Sequence, residues 1–359
     1  MTDVRPAVPS RPAPPRWGRL FVGCAVVGGL LVLAGLVALA FGMYWLLGSG
    51  RQAPTAAVVG PRSLGVIQVA DLAADPGARA LLGEVMARAQ NPPPGAPQLP
   101  KWLRDMQAAQ ARQGVSQWLP REATVSFEPR ADEKFGFSAA VNMRGMVQPL
   151  RFGMMHALSR GGGNTVSRHG RHELIAFEKS GALCFMDGTV VMTADVERLR
   201  AALDRLEPAI EKGAPAPDPA RALPGQWDVG GWFDQPLADT VLRALLAEPG
   251  EAIGTILGFD DDAPAPPDGL RGLRFGIDVR SNSDAEAALD LVLETAAHAT
   301  AVEPGLTAAL RRRLGQEPGL TATVTPAVEG DHLRYRIALH DLDEMIGRRI
   351  AVRPRTRPR

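Results

Sequence analysis

TVSRHGRHELIAFEKSGALCFMDGTVVMT, residues 165–193, is the stretch on which the fold class turns. It divides into four short runs, TVSRH, HELIAFE, ALCFM and TVVMT, separated by Gly170-Arg171, Lys179 to Gly181 and Asp187-Gly188. Runs rich in Val, Ile, Thr and Phe with such short gaps read as antiparallel strands, and Asp-Gly suits a two-residue turn with positive φ at both central positions. The stretch is therefore a four-strand meander.

On its N-terminal side, ATVSF (123–127) and FGFSAAV (135–141) form a further hairpin, followed by an apolar helix from Met146 to Leu158. Earlier, Ser63 to Leu72 reads as a buried strand. Asp75-Pro76 opens a helix through Ala89, with proline in the first turn where its missing N–H costs nothing. The Pro-rich run 91–100 ends that helix, and another follows at 101–113. On the C-terminal side, Asp195 begins a helix in which Val196, Leu199, Ala202, Leu203 and Leu206 make one apolar stripe.

The second half of the chain replays the first. Trp227 to Phe233 is strand-like and leads into a helix, as Ser63 to Leu72 does, and Arg-Ala-Leu-Leu occurs at both 79–82 and 243–246. There follow a strand at Leu273 to Val279, a long helix at Asp284 to Thr300, a helix at Gly305 to Leu314, a hairpin at Thr321 to Leu339 and a short helix from Asp341. Gly330-Asp331-His332 matches Gly170-Arg171-His172 as a turn between strands. The pattern predicts an α+β protein: a single N-terminal transmembrane helix, then an ectodomain of two similar lobes with antiparallel sheets and packed helices.

The transmembrane expectation rests on Leu20 to Leu47, twenty-eight residues without a charge, where about 20 suffice to cross a bilayer. Arg5, Arg11, Arg16 and Arg19 precede this run, which predicts a single-pass protein of the cytoplasmic (inner) membrane with its N-terminus inside and the C-terminal domain extracytoplasmic. Ala34, Ala38 and Gly42 recur every fourth residue, the spacing of a close helix contact, and make a homodimer through that face conceivable. The expected layout is a cytoplasmic tail at 1–19, the span at 20–47, a linker at 48–61 and a first lobe at 62–212. A Pro-rich linker at 213–225, a second lobe at 226–347 and a basic tail at 348–359 complete it.

Charge and cysteine content exclude some functions. The chain is +1 overall, but its first fifty residues and its last twelve are basic, which leaves 51–347 at −8. An acidic body does not make a nucleic-acid groove, whose affinity comes from neutralising phosphates. Cys184 is the sole cysteine outside the apolar run, so no internal disulfide forms there. It lies in an apolar strand, where a thiol acts as a small hydrophobe.

Candidate chemistry is sparse, and no cofactor is implied. A two-residue turn at Gly170-Arg171 sets His169 opposite His172 and Arg168 opposite Glu173. The two imidazoles are the best candidate metal ligands, although no third ligand stands out, and a solvated hairpin tip explains the same residues. Gly161 to Gly163 lacks the Lys and Ser or Thr of a phosphate loop, and Asp260 to Asp262 lacks the spacing of a calcium loop. Phe152, Met154 and Met155 are candidate contacts for an apolar ligand between the lobes. Arg353, Arg355, Arg357 and Arg359 are candidate contacts for an anionic surface. The leading expectation is a binding or scaffolding module of the bacterial envelope with an envelope protein or ligand as partner. The alternatives are a carrier or sensor of an apolar ligand, and a metal-dependent hydrolase built on the histidine hairpin.

Overall fold

The last two runs of the meander, 181–186 and 189–193, are largely apolar on both sides because both of their faces are covered. Ala182, Cys184, Met186 and Val191 point one way and Leu183, Phe185 and Val190 the other, all at most 3% exposed. A strand buried on both faces shows continuous apolar runs where a half-buried one alternates. The computed structural model describes residues 52–72, 74–90, 121–130, 135–142, 164–177, 181–186, 188–213, 221, 223–246 and 267–351.

Twelve strands form one sheet. They are β1 (Gly65–Val69), β2 (Glu122–Pro129), β3 (Phe135–Asn142), β4 (Asn164–His169), β5 (His172–Phe177), β6 (Gly181–Met186), β7 (Thr189–Thr193), β8 (Val229–Asp234), β9 (Leu270–Val279), β10 (Ala285–Leu293), β11 (Thr321–Glu329) and β12 (His332–His340). Their order is β11-β12-β10-β9-β8-β1-β2-β3-β7-β6-β5-β4, and every neighbouring pair is antiparallel. The helices described are α1 (Pro76–Gln90), α2 (Val196–Lys212), α3 (Leu237–Leu246), α4 (Ala296–Gly315) and α5 (Leu342–Ala351), with a 3-10 turn at Thr55–Val58.

This architecture corrects the expectation of two α+β lobes with packed helices. The chain is mostly antiparallel sheet, and its halves are joined backbone to backbone where β1 pairs with β8 from Gly65↔Phe233 to Val69↔Val229. Phe152, Met154 and Met155, the expected contacts of an apolar ligand, lie outside the described residues. The resemblance between halves shows instead as strand order. Read outward from the seam, β8-β9-β10-β12-β11 matches β1-β2-β3-β7-β6, with β5-β4 added on one side. In that correspondence the partner of the Gly330-Asp331 turn is Asp187-Gly188, not Gly170-Arg171.

The expected helix at Asp284 to Thr300 is strand β10 followed by the start of α4. Ala285, Ala287, Leu289, Leu291 and Leu293 are all buried, a spacing of two that only a strand puts on one face. Alanine's helix preference is a weak prior beside pairing on both edges, to β9 and β12. Thr295 then caps α4, its Oγ1 accepting from His298 N at 3.2 Å.

The single-pass membrane localisation is not supported by the described residues. Among the described residues no helix is long and apolar enough to cross a membrane. Residues 20–47, with Ala34, Ala38 and Gly42, lie outside the described residues.

Helical cover changes sides along the sheet. Leu199, Ala202, Leu203 and Leu206 of α2, with the 3-10 turn, pack on Ala140, Leu174, Cys184 and Val191. Helices α1, α3, α4 and α5 pack on the opposite face through residues such as Leu81, Leu242, Leu310 and Met345. The face of β8, β9, β10 and β12 on the α2 side therefore carries no helix among the described residues.

Candidate functional site

The histidine hairpin has the expected register. His169 pairs with His172 and Arg168 with Glu173, across a turn in which Gly170 has φ +56°. The two rings nevertheless face separate carboxylates on α2. His169 Nε2 lies 2.6 Å from Asp204 Oδ1, and His172 Nε2 lies 3.8 Å from Glu207 Oε1, which also meets Arg171 Nε at 3.0 Å. The hairpin tip is thus clipped to the helix. Among the described residues no three His, Cys, Asp or Glu side chains are grouped to hold a metal. Cys184 is fully buried beneath α2. Arg353, Arg355, Arg357 and Arg359 lie outside the described residues.

The bare face carries a row of charge that reading 284–300 as a helix had hidden. Registers place Trp232 beside Arg274, Arg274 beside Asp290, and Asp290 beside Arg334. Asp290 is fully buried although no helix among the described residues covers it. His332 Nδ1 lies 2.9 and 3.2 Å from its two oxygens, Arg274 Nη1 lies at 3.6 Å and Arg334 Nε at 3.8 Å. A carboxylate taken out of water needs that company, since losing one partner of a buried charge is far costlier than losing an exposed pair.

Tryptophan flanks the row. Trp227 lies flat over Gly276, where a Cβ would come within 2.2 Å of its ring, so only glycine permits the contact. Arg221 stacks on Trp232 at 4.4 Å and pairs with Asp234 at 3.1 Å. Arg336 stands exposed two residues from Arg334 on the same face. The legible signal was a period of two in AEAALDLVL, with Asp290 at an outward position.

A second polar feature sits where α2 meets β2 and β3. It is a pocket of about 360 Å³ bordered by Arg62, Glu128, Ser138, Glu197, Arg198 and Arg205, among others. Asp195 caps α2 by accepting from Arg198 N at 2.8 Å. Each nitrogen of the Arg198 guanidinium is engaged: Nη1 donates to Glu128 at 2.9 Å, Nε to Asp195 at 3.1 Å and Nη2 to the Pro129 carbonyl at 2.9 Å. Arg205 Nη2 donates to Val58 O at 2.8 Å, while its buried Nε has no hydrogen-bond partner among the described residues. Burial lowers the Arg205 pKa, against the opposing pull of Glu128 and Asp204. From sequence, Asp195 was legible as a helix start, but the convergence of Arg62 and Glu128 on α2 was not.

No protein-family model and no curated protein matches the chain. Among solved structures it is similar to TP0453 in its crystal form I, with a TM-score of 0.43 and 12% identity, and in its crystal form IV, with a TM-score of 0.44 and 13% identity. Each match covers 84% of this chain and 97% of that one. Likeness at this level carries no argument about function.

Proposed function

We propose that the protein is a binding or scaffolding module whose contact surface is the bare face of β8, β9, β10 and β12, and whose occupant is another protein. One observation carries this reading: both tryptophans among the described residues stand on that face, beside Arg221, Arg274, Arg334 and Arg336. Trp and Arg dominate the residues that supply binding energy at protein interfaces, whereas solvated faces favour other charged and small residues. The antiparallel sheet supplies a rigid platform, and Asp290 fixes the spacing of Arg274 and Arg334 across it. A photo-crosslinking residue placed at Arg336, or at Thr325 directly opposite it on β11, should form protein adducts in cells, and Trp232→Ala should abolish them. The same probe at Arg200, exposed on α2, should form none. Equal adducts at Arg200, or adducts indifferent to Trp232→Ala, would remove the reading.

A further inference from the structure

The sheet ends in two outer strands, β11 and β4, and an outer edge invites another strand because its backbone N–H and C=O groups lack partners. On β11, Glu329 and His332 flank the turn at Gly330-Asp331, so they exchange hydrogen bonds, and alternate residues back from Glu329 bond to β12. Val324, Pro326 and Val328 therefore turn their backbone groups outward. Pro326 has no N–H to offer, and the Val324 carbonyl accepts from Arg311 Nη2 of α4 at 3.1 Å. This edge is closed to a further strand.

The same count on β4 gives the opposite result. His169 and His172 flank the turn at Gly170-Arg171, so Thr165, Ser167 and His169 bond to β5 while Val166 and Arg168 turn their backbone groups away from the sheet. Those groups have no partner strand among the described residues. Asn164–His169 contains neither proline nor lysine, and the Arg168 charge is answered inside the hairpin by Glu173 at 3.5 Å. The Val166 side chain is 46% exposed, the most of any large apolar residue described, yet it continues the row of Ile175 and Leu183, which are at most 3% exposed.

We propose that β4 pairs antiparallel with β4 of a second copy of this chain, about a two-fold axis at Val166. An antiparallel pair is self-complementary under such an axis, so a single open edge suffices for both partners. Centring on Val166 lets it exchange both hydrogen bonds with its counterpart, sets apolar against apolar and puts Arg168 opposite the neutral Asn164. Centring on Arg168 opposes like charges, and centring on Ser167 sets Val166 against Arg168. An edge this short buries little area, so the dimer dissociates on dilution. Strand β4 belongs to the other half of the strand order from β8, β9, β10 and β12, so pairing leaves the bare face open.

Sedimentation velocity of the purified full-length chain should show a monomer–dimer equilibrium between about 1 and 100 μM. Val166→Lys, which opposes itself across the axis, and Val166→Pro, which gives β4 the missing N–H of Pro326, should each weaken dimerisation at least about tenfold. Val328→Lys, the matching change on β11, should leave it unchanged. Val166 and Val328 are both exposed, so neither lysine variant disturbs the core. The register has its own test. Thr165 of one copy faces Ser167 of the other at a non-hydrogen-bonded position, where Cα atoms about 4.5 Å apart are within disulfide reach. In a Cys24→Ser background, with Cys184 fully buried, oxidising a mixture of Thr165→Cys and Ser167→Cys chains should give more mixed dimers than self-pairs of either. A monomer at every concentration, a dimer indifferent to Val166→Lys, equal weakening by Val328→Lys, or self-pairs of Ser167→Cys outnumbering the mixed ones would overturn the proposal.

Discussion

At Asp228 the fold makes a single carboxyl sensitive to pH. Its Oδ2 accepts from Val279 N at 2.7 Å, tying the start of β8 to the end of β9. Burial pushes its pKa up to about 6, opposed by that hydrogen bond and assisted by the charges of Asp75 and Asp278. A pKa raised above the unfolded value of 3.8 contributes stability that is complete below that value and is lost as pH rises through about 6. The melting temperature should therefore carry a component that falls between about pH 4 and 6. Asp228→Asn keeps an acceptor for Val279 and removes the titration, so it should flatten that component and melt higher than wild type at pH 7. Parallel melting profiles of the two proteins across this range would contradict the assignment. Asp284 has the opposite sign: hydrogen bonds from His340, Ser283 and Ser281 hold it down at about 2, so its contribution is lost only as pH falls towards that value.

Strand β10 shows how an element is decided by its neighbours. Alanines at 285, 287 and 288 favour a helix taken alone, and Glu286 and Asp290 do not forbid one. Between β9 and β12, however, a strand buries five side chains on one face and meets hydrogen-bonding partners on both edges. Substitution should reveal the period directly. Ala287→Glu puts a charge into the core and should cost roughly 3 kcal/mol or more in chemical denaturation. Ala288→Glu sits on the bare face opposite Arg336 and should stay within about 0.5 kcal/mol of wild type. Similar costs at the two positions would mean that the alternation has been misread. The histidine hairpin, by contrast, was legible in detail because a two-residue turn sets its register locally, whatever it packs on.

For the whole molecule, the pairing of β1 with β8 makes one sheet of two halves, and cooperativity should follow. Calorimetry should give a single unfolding transition, with van't Hoff and calorimetric enthalpies in agreement. Two separable transitions would show the halves to be independent. The sequence by itself determined what nearest neighbours along the chain control: the meander at 165–193, the hairpins at 123–141 and 321–339, the Asp195 cap, and the apolar stripe of α2. It also held the echo between halves, as the repeated Arg-Ala-Leu-Leu and the repeated strand–helix opening. Only the tertiary structure decided how those pieces are joined. Strand pairing between residues as distant as Ile67 and Gly231 leaves no mark in local periodicity, because hydrogen bonds between backbones are the same for any side chain. The two polar features share that origin. Asp290 meets His332 and Arg334 across a strand boundary, and Arg198 meets Glu128 from seventy residues away, so each exists as a site only once the sheet has brought its members together.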